Sequence, residues 1–423
     1  MTFFRGRMPS TLILASSLFA LAAHAQQSIP LSLAEAERLA LKQEPGHAAL
    51  LERVATLDEH AGIAGELPDP TMRIGLINYP INSGGFSTEG MTQAQLGYRQ
   101  SFPSGKSREF DTQQFASQAL QMTASASART RDVTTRVRTT WLENYYWQSA
   151  RDIVARSRPF FADLATITRS LYSVGRKTQH DVLSAELELS RLDDRLIQID
   201  QHHKQSIAAL SEWLGADASR PVVAKLPAWQ PVPAAELLQE NLRSHPAVLA
   251  AGAGVDAADA AVDLAEARKK PGWALDLVYG YREGYLSNGD PRSDMVSVAV
   301  TMDLPFFGKE SHNRSLAAAL RERSAADYER SSLLRHLSSQ LDAEYAHWQD
   351  LSRRVALYES QILILSKDQA QAALLAYQSE TGDFADVMRS YIDDLNTRLD
   401  YVRLQVERGQ SHAALANLGG LSR

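Results

Sequence analysis

The chain has 423 residues, with 44 Lys and Arg against 50 Asp and Glu, a formal net charge of −6, 44% hydrophobic residues and no cysteine. Mild acidity argues against a nucleic-acid partner, and the missing cysteines exclude a disulfide framework, a thiolate metal site, a thiol nucleophile and a lipid anchor on cysteine. After the N-terminus no stretch reaches the roughly 18–20 continuous apolar residues of a membrane-spanning helix, so contact with a bilayer would fall to strands or a surface.

The first 25 residues read as a secretory signal: Arg5 and Arg7 are the positive end, Thr11 to Ala23 the apolar stretch, and Ala23-His24-Ala25 the small-x-small cleavage site. The expected mature chain begins at Gln26, and without Arg5 and Arg7 its 42 basic residues face 50 acidic ones. This mature chain carries one pattern twice, about 200 residues apart, as a first repeat over 26–225 and a second over 226–423. A period this long implies two copies of a whole substructure rather than a stack of small solenoid units.

In the first copy Gln43-Glu44-Pro45 is the first of the repeated motifs. A strand hairpin is expected over about 70–102, with Met72, Ile74 and Leu76 alternating with Arg73 and Gly75. Its return strand sets Ala94, Leu96 and Tyr98 against Gln93, Gln95, Gly97 and Arg99, across a glycine-rich loop from Tyr79 to Gly90. Pro103-Ser-Gly105-Lys106 then leads into a run from Ser107 to Tyr172 with no glycine and only Pro159. As a helix this run would be about 100 Å long, more than a compact domain needs. After a tip at about 172–181, Val182, Ala185, Leu189, Leu192, Leu196 and Ile199 recur at spacings of three and four, the seam of a left-handed coiled coil.

The second copy repeats the order. Ser244-His245-Pro246 answers Gln43-Glu44-Pro45, and the strand hairpin falls over about 272–305. There Trp273, Leu275, Leu277, Tyr279 and Tyr281 share one face, and Val296, Val298, Val300, Met302 and Leu304 the matching one. Pro305-Phe-Phe-Gly308-Lys309 starts the long helix, Trp348-Gln349 echoes Trp147-Gln148, and a tip at about 377–386 precedes the seam Phe384, Met388, Tyr391, Leu395, Leu399, Val402 and Val406. Between the Trp-Gln pair and the tip tyrosine the second copy is four residues longer, 348 to 377 against 147 to 172, about one helical turn. Each copy thus reads as a strand hairpin joined to a long helical hairpin.

The strands have about the length and alternation of tilted strands crossing an outer membrane. A four-stranded sheet cannot close, and an open edge cannot survive in lipid, where every backbone polar group must be paired. Three chains would close a barrel of twelve strands. The competing expectation is a soluble sheet packed on the helices.

At the tips, Gly175 and Gly382 stop one arm, and Thr178 or Asp383 can cap the next with Asp181 or Asp386 in its first turn. Tyr172-x-x-Gly175 followed by Asp181-Val182-Leu183, its echo at Gly382, Asp383, Asp386 and Val387, the Pro-ended strands leading into Gly-Lys, and Ala416-Asn417-Leu418-Gly419 together resemble the TolC family of outer membrane efflux proteins over nearly the whole mature chain. The run Gln179 to Asp194 resembles the heavy-metal branch, similar to CusC and CzcC.

The resemblance implies a mainly α chain with a TolC-like membrane β-barrel: a homotrimer with a twelve-stranded barrel in outer membrane lipid and a helical barrel in the periplasm. It also implies docking by a periplasmic adaptor and an inner-membrane pump of the resistance-nodulation-division type. Asp386 matches an acidic constriction ring of the family and is the candidate gate, lined by the second copy's tip only. Gly175, Thr178, Asp181, Val182, Gly382, Asp383 and Val387 are the candidate docking residues. Arg389 stands where a second ring aspartate would sit, and Gly382 near where a gating arginine would be expected. Three acids converging on an axis would raise one another's pKa and favour cations, whereas an Asp386 that only caps its helix would do neither.

No enzyme or cofactor is expected. Gly105-Lys106-Ser107 lacks the first glycine of a phosphate-binding loop, because Gln100 stands there. In His202-His203, His203 falls on the coiled-coil seam four residues after Ile199 and the pair lacks metal-ligand spacing, and Met72, Met91, Met295 and Met302 are explained by strand packing. The functional reading is a passive exit duct of a tripartite efflux system for small solutes, metal cations among them. A type I secretion or multidrug duct of the same fold is an alternative, and a periplasmic coiled-coil adaptor or scaffold is one of a different class.

Overall fold

The computed structural model describes residues 29–379 and 381–420; the signal segment lies outside them. In chain order the elements are α1 (Leu33–Gln43), α2 (Pro45–Gly65), β1 (Thr71–Ile77), β2 (Gln93–Phe102), α3 (Ser107–Ser173), α4 (Gln179–Leu214), α5 (Ala235–Asn241), α6 (Pro246–Ala267), β3 (Trp273–Tyr281), β4 (Met295–Met302), α7 (Lys309–Leu357), α8 (Leu363–Gln378) and α9 (Phe384–Gly419). A single π-turn, Tyr358–Ile362, joins α7 to α8.

The repeated X-Pro motifs are helix starts. Glu44 caps α2 by accepting from the N–H groups of Gly46 and His47 at 3.0 and 2.5 Å, and His245 caps α6 through Nδ1, 3.2 Å from Ala247 N. Proline follows at the first helical position, where its missing N–H has no partner to lose. Arg129, 2.9 Å from the Glu44 carboxylate, holds that acid below the usual carboxylate range.

Helix α3 runs for 67 residues and keeps Pro159 inside it. In its Ser/Thr-rich middle the hydroxyls are satisfied within the helix by bonding back to carbonyls one turn earlier: Thr123 to Ala119, Thr130 to Ala126, Thr134 to Thr130 and Thr139 to Thr135, all within 3.1 Å. At the level of Pro159, counted from the Trp-Gln pairs, the second copy's arm is interrupted. Four extra residues exceed one turn of 3.6 by a fraction of a residue, and the π-turn at 358–362 is where the helix takes up its irregularity.

The hairpin seams meet as the spacing requires. Ala185, Leu192, Ile199, Phe384, Met388, Leu395 and Leu399 are buried in one cluster with Val154, Phe161 and Leu164 of α3. A second cluster forms around Trp141, which is fully buried, with Leu142, Leu210 and Leu214. Trp141 Nε1–H donates to Leu31 O at 3.1 Å, and Leu31 in turn pairs with the 221–223 segment. Gln148 of the Trp-Gln motif both donates to and accepts from the backbone of Val222 at 3.0 Å. The chain's start and the connection between its halves are thereby clamped to the helices.

The four strands form one antiparallel sheet in the order β1-β2-β3-β4, with Phe102 opposite Trp273 where the halves meet. Among the described residues, β1 and β4 have no partner on their outer edges. The expectation of a soluble sheet packed on helices is not met: Met72, Ile74, Val296 and Val298 are between 66% and 79% exposed.

Candidate functional site

Two regions could carry function: the bare sheet and the tips of the helical hairpins. On the sheet, register places Met72, Ile74, Leu96, Tyr98, Leu275, Leu277, Tyr279, Val296, Val298 and Val300 on one face. Arg73, Gln95, Arg99, Asp276, Ser297 and Thr301 lie on the other, where Thr301 Oγ1 donates to Asp276 at 2.9 Å and Arg99 approaches Asp276 at 3.7 Å. The apolar face ends in aromatics at both borders. Phe102 stacks on Trp273 with centroids 4.1 Å apart, and Phe86 stacks on Tyr281 at 6.1 Å. Between Trp273 and Tyr281 the strand runs about 26 Å at roughly 3.3 Å per residue, comparable with the apolar band and girdles of an outer-membrane strand. Among the described residues no helix is long and apolar enough to cross a membrane.

At the first tip Gly175 takes φ +76, and its N–H and that of Arg176 close on Tyr172 O and Leu171 O, both at 2.9 Å. Thr178 and Asp181 then form a complete capping box: Asp181 N donates to Thr178 Oγ1 at 3.3 Å, and Thr178 N donates to Asp181 Oδ2 at 3.0 Å. The second tip is built otherwise. Gly382 does not need a left-handed backbone; it is small because an added Cβ would lie 3.0–3.2 Å from Ala376 and Tyr377 N. Asp383 occupies the cap position of α9 without a side-chain cap bond.

Asp386 therefore does not repeat the capping of Asp181. Its carboxylate is exposed and meets Arg389 at 3.4 Å. The tips touch through Lys177, whose Nζ sits 4.4 Å over the Tyr377 ring, and Tyr377 packs edge-on against Phe384 at 5.8 Å. Burial pushes the Tyr377 hydroxyl's pKa up. Val182 and Val387 are buried, at 9% and 0% exposure. As seam residues they hold the tip together, whereas Tyr172 and Val174 stand exposed beside Gly175.

Reasoning from tip motifs alone missed the continuation of Asp386 along α9. Asp393 and Asp400 are exposed on the same face at successive intervals of seven, a heptad spacing visible in the sequence itself. Farther from the tip, Tyr401 donates to Glu359 of the π-turn at 2.7 Å and accepts from Gln405 Nε2 at 2.6 Å. Burial and the Glu359 carboxylate push its pKa up to about 12. His202 stacks on Trp147 at 4.4 Å, and burial lowers the pKa of His203. Among the described residues no cluster of His, Asp or Glu could hold a metal ion.

Residues 237–421 match the family described as outer membrane efflux protein. Protein CyaE of Bordetella pertussis is 27% identical over 273 residues, covering 61% of this chain and 56% of that relative, so the match spans little more than half of the relative's length. The structure of VceC from Vibrio cholerae superposes with a TM-score of 0.76 at 17% identity, covering 92% of this chain and 96% of that one. CusC superposes with a TM-score of 0.74 at 15% identity over 99% of both chains. The likeness to CusC is no greater than that to VceC, and at these identities both are likenesses of fold.

Proposed function

We propose that this protein, whose residues 237–421 match the outer membrane efflux protein family and whose described chain carries the TolC fold, is a passive outer membrane conduit. Three copies would form the exit duct of a tripartite efflux system. The observation that carries the reading is the four-stranded sheet with an uncovered apolar face and two unpaired edges, an arrangement that lipid forbids until the edges meet other strands. The helices show the same incompleteness. α6 is wedged between α3 and α7, whereas its counterpart α2 packs on α3 and buries none of its residues. A second copy would supply the missing side, bringing its α7 against α2 and its β4 against β1.

The register proposed for that contact is carried over from the internal junction. Aligning Pro70 with Pro271 and Pro103 with Pro305 converts the observed pair Phe102 opposite Trp273 into Leu304 opposite Met72 of the next copy, and hence Met302 opposite Ile74. Both sets of residues fall on the apolar face, as closure demands. Because the chain has no cysteine, the pair Ile74→Cys with Met302→Cys can be oxidised without background. We expect covalent trimers on a denaturing gel, and monomers from Ile74→Cys with Ser297→Cys, whose side chains lie on opposite faces. Monomers from the first pair would remove the trimeric barrel.

The tips would dock a periplasmic adaptor bound to an inner-membrane pump, through Tyr172, Val174, Gly175, Thr178, Asp181, Gly382 and Asp383. Opening would be a shift of packed helices at the tip. Asp386, Asp393 and Asp400, exposed at intervals of seven on α9, would line the lumen, where repeated carboxylates favour cations, and metal cations would be the cargo. Such ions would pass through without being ligated. Sensitivity of a deletion strain to copper, silver, zinc and drugs distinguishes this cargo from others.

A further inference from the structure

We propose that Lys309 of one copy pairs with Asp69 of the next, a latch that closes each junction between copies and has no counterpart inside the chain. The proposal rests on the reading in which three copies close β4 against β1. Inside the chain, the segment before β3 lies across the corner between β2 and α3. An added Cβ at Gly105 would meet Lys270 Cδ at 3.0 Å and Ala267 O at 3.7 Å, and one at Gly272 would meet Phe102 O at 3.4 Å. Matching Pro271 to Pro70, and Gly105-Lys106 to Gly308-Lys309, lays Glu66 to Asp69 of the next copy across the corner between β4 and α7. In that match Glu66 answers Ala267, and Asp69 answers Lys270. The whole stretch from Glu66 to Pro70 is exposed in the single chain. The corner it would cover holds a cleft of about 470 Å³, whose lining includes Met302, Leu304, Pro305 and Lys309.

The two junctions carry opposite charge. The segment that crosses the inner corner reads Arg268-Lys269-Lys270, and the one offered to the outer corner reads Glu66-Leu-Pro-Asp69. The lysines at the two corners are provided for accordingly. Lys106 has an acid of its own helix three residues on, Glu109, at 3.1 Å. Three residues after Lys309 stands His312 instead, and the adjacent Glu310 is engaged by Arg314 at 2.8 Å. Among the described residues Lys309, Glu66 and Asp69 have no ion-pair partner. A basic segment thus lies over a lysine already neutralised, and an acidic one is offered to a lysine that is not. A single exposed ion pair contributes little, but releasing one copy from a ring of three parts two junctions at once.

The test is the rate at which purified full-length trimers fall to monomers in detergent at low salt, followed on a native gel. We expect Lys309→Asp and Asp69→Lys each to speed dissociation about tenfold, because like charges then face each other at both junctions of the departing copy. The two changes combined exchange the charges and should return the rate close to that of the unaltered chain. High salt should shrink the effect of the single changes. Lys106→Ala, at the junction inside the chain, should leave the rate unchanged. Exchanged charges that dissociate as fast as the two single effects together would overturn the latch while leaving the trimer standing. So would single variants no faster than the unaltered chain. An unaltered chain that is monomeric under all conditions would remove the trimeric conduit, and the latch with it.

Discussion

Asp181 and Asp386 occupy equivalent places in the two copies, and the structure gives them different work. Sequence pattern could align them but could not separate them, because capping depends on where the preceding turn places the N–H groups. Thr178→Ala breaks the capping box and is expected to cost about 1 kcal/mol, read as a lower urea midpoint, whereas Asp383→Ala, with no cap bond to lose, should leave that midpoint nearly unchanged. The Asp386 carboxylate stands exposed beside Arg389. Replacing it with alanine should lower the cation selectivity of the trimer in planar bilayers, and Arg389→Ala should raise it; unchanged selectivity in both would end the gate role. Val182 and Val387 show the limit of reading by motif. Val182 is legible as a seam position, yet its place beside the tip turn gives it the look of surface.

Among the elements, the long arms and their seams were legible because a spacing of three and four states which face is buried. The π-turn was not legible: a difference of four residues between copies is visible in sequence, but whether the helix absorbs it by twisting, bulging or lengthening is decided by packing. The second tip carries a related constraint. Gly382 sits where a Cβ would press on Ala376 and Tyr377 N, so Gly382→Ala should destabilise the α8–α9 hairpin by about 1–3 kcal/mol. Faster amide exchange over 363–390 with no change in α3 would show it. The same substitution at Gly62, which has open space around it, is the control.

The whole molecule was legible through its duplication and its alternating strands. The clamp of Leu31 on Val222 and Trp141 was hidden, because contacts between residues more than 100 positions apart leave no local pattern. That helical region also holds imidazoles whose burial depresses their pKa: His203, His245 and His412. Each binds a proton less readily folded than unfolded, so their contribution to stability is full above the usual imidazole pKa of about 6.5 and is lost as pH falls below it. The urea midpoint should therefore drop between pH 7.5 and pH 5, and His412→Gln should flatten that dependence. The open edges of the sheet have one more consequence, a kinetic one. A newly exported copy presents two rows of unpaired backbone groups and an oily face to every other chain it meets. If three copies must gather before any can be sheltered by lipid, the yield of finished ducts at low abundance should climb as the cube of the supply of chains, and a surplus of loose copies would end in precipitate or protease.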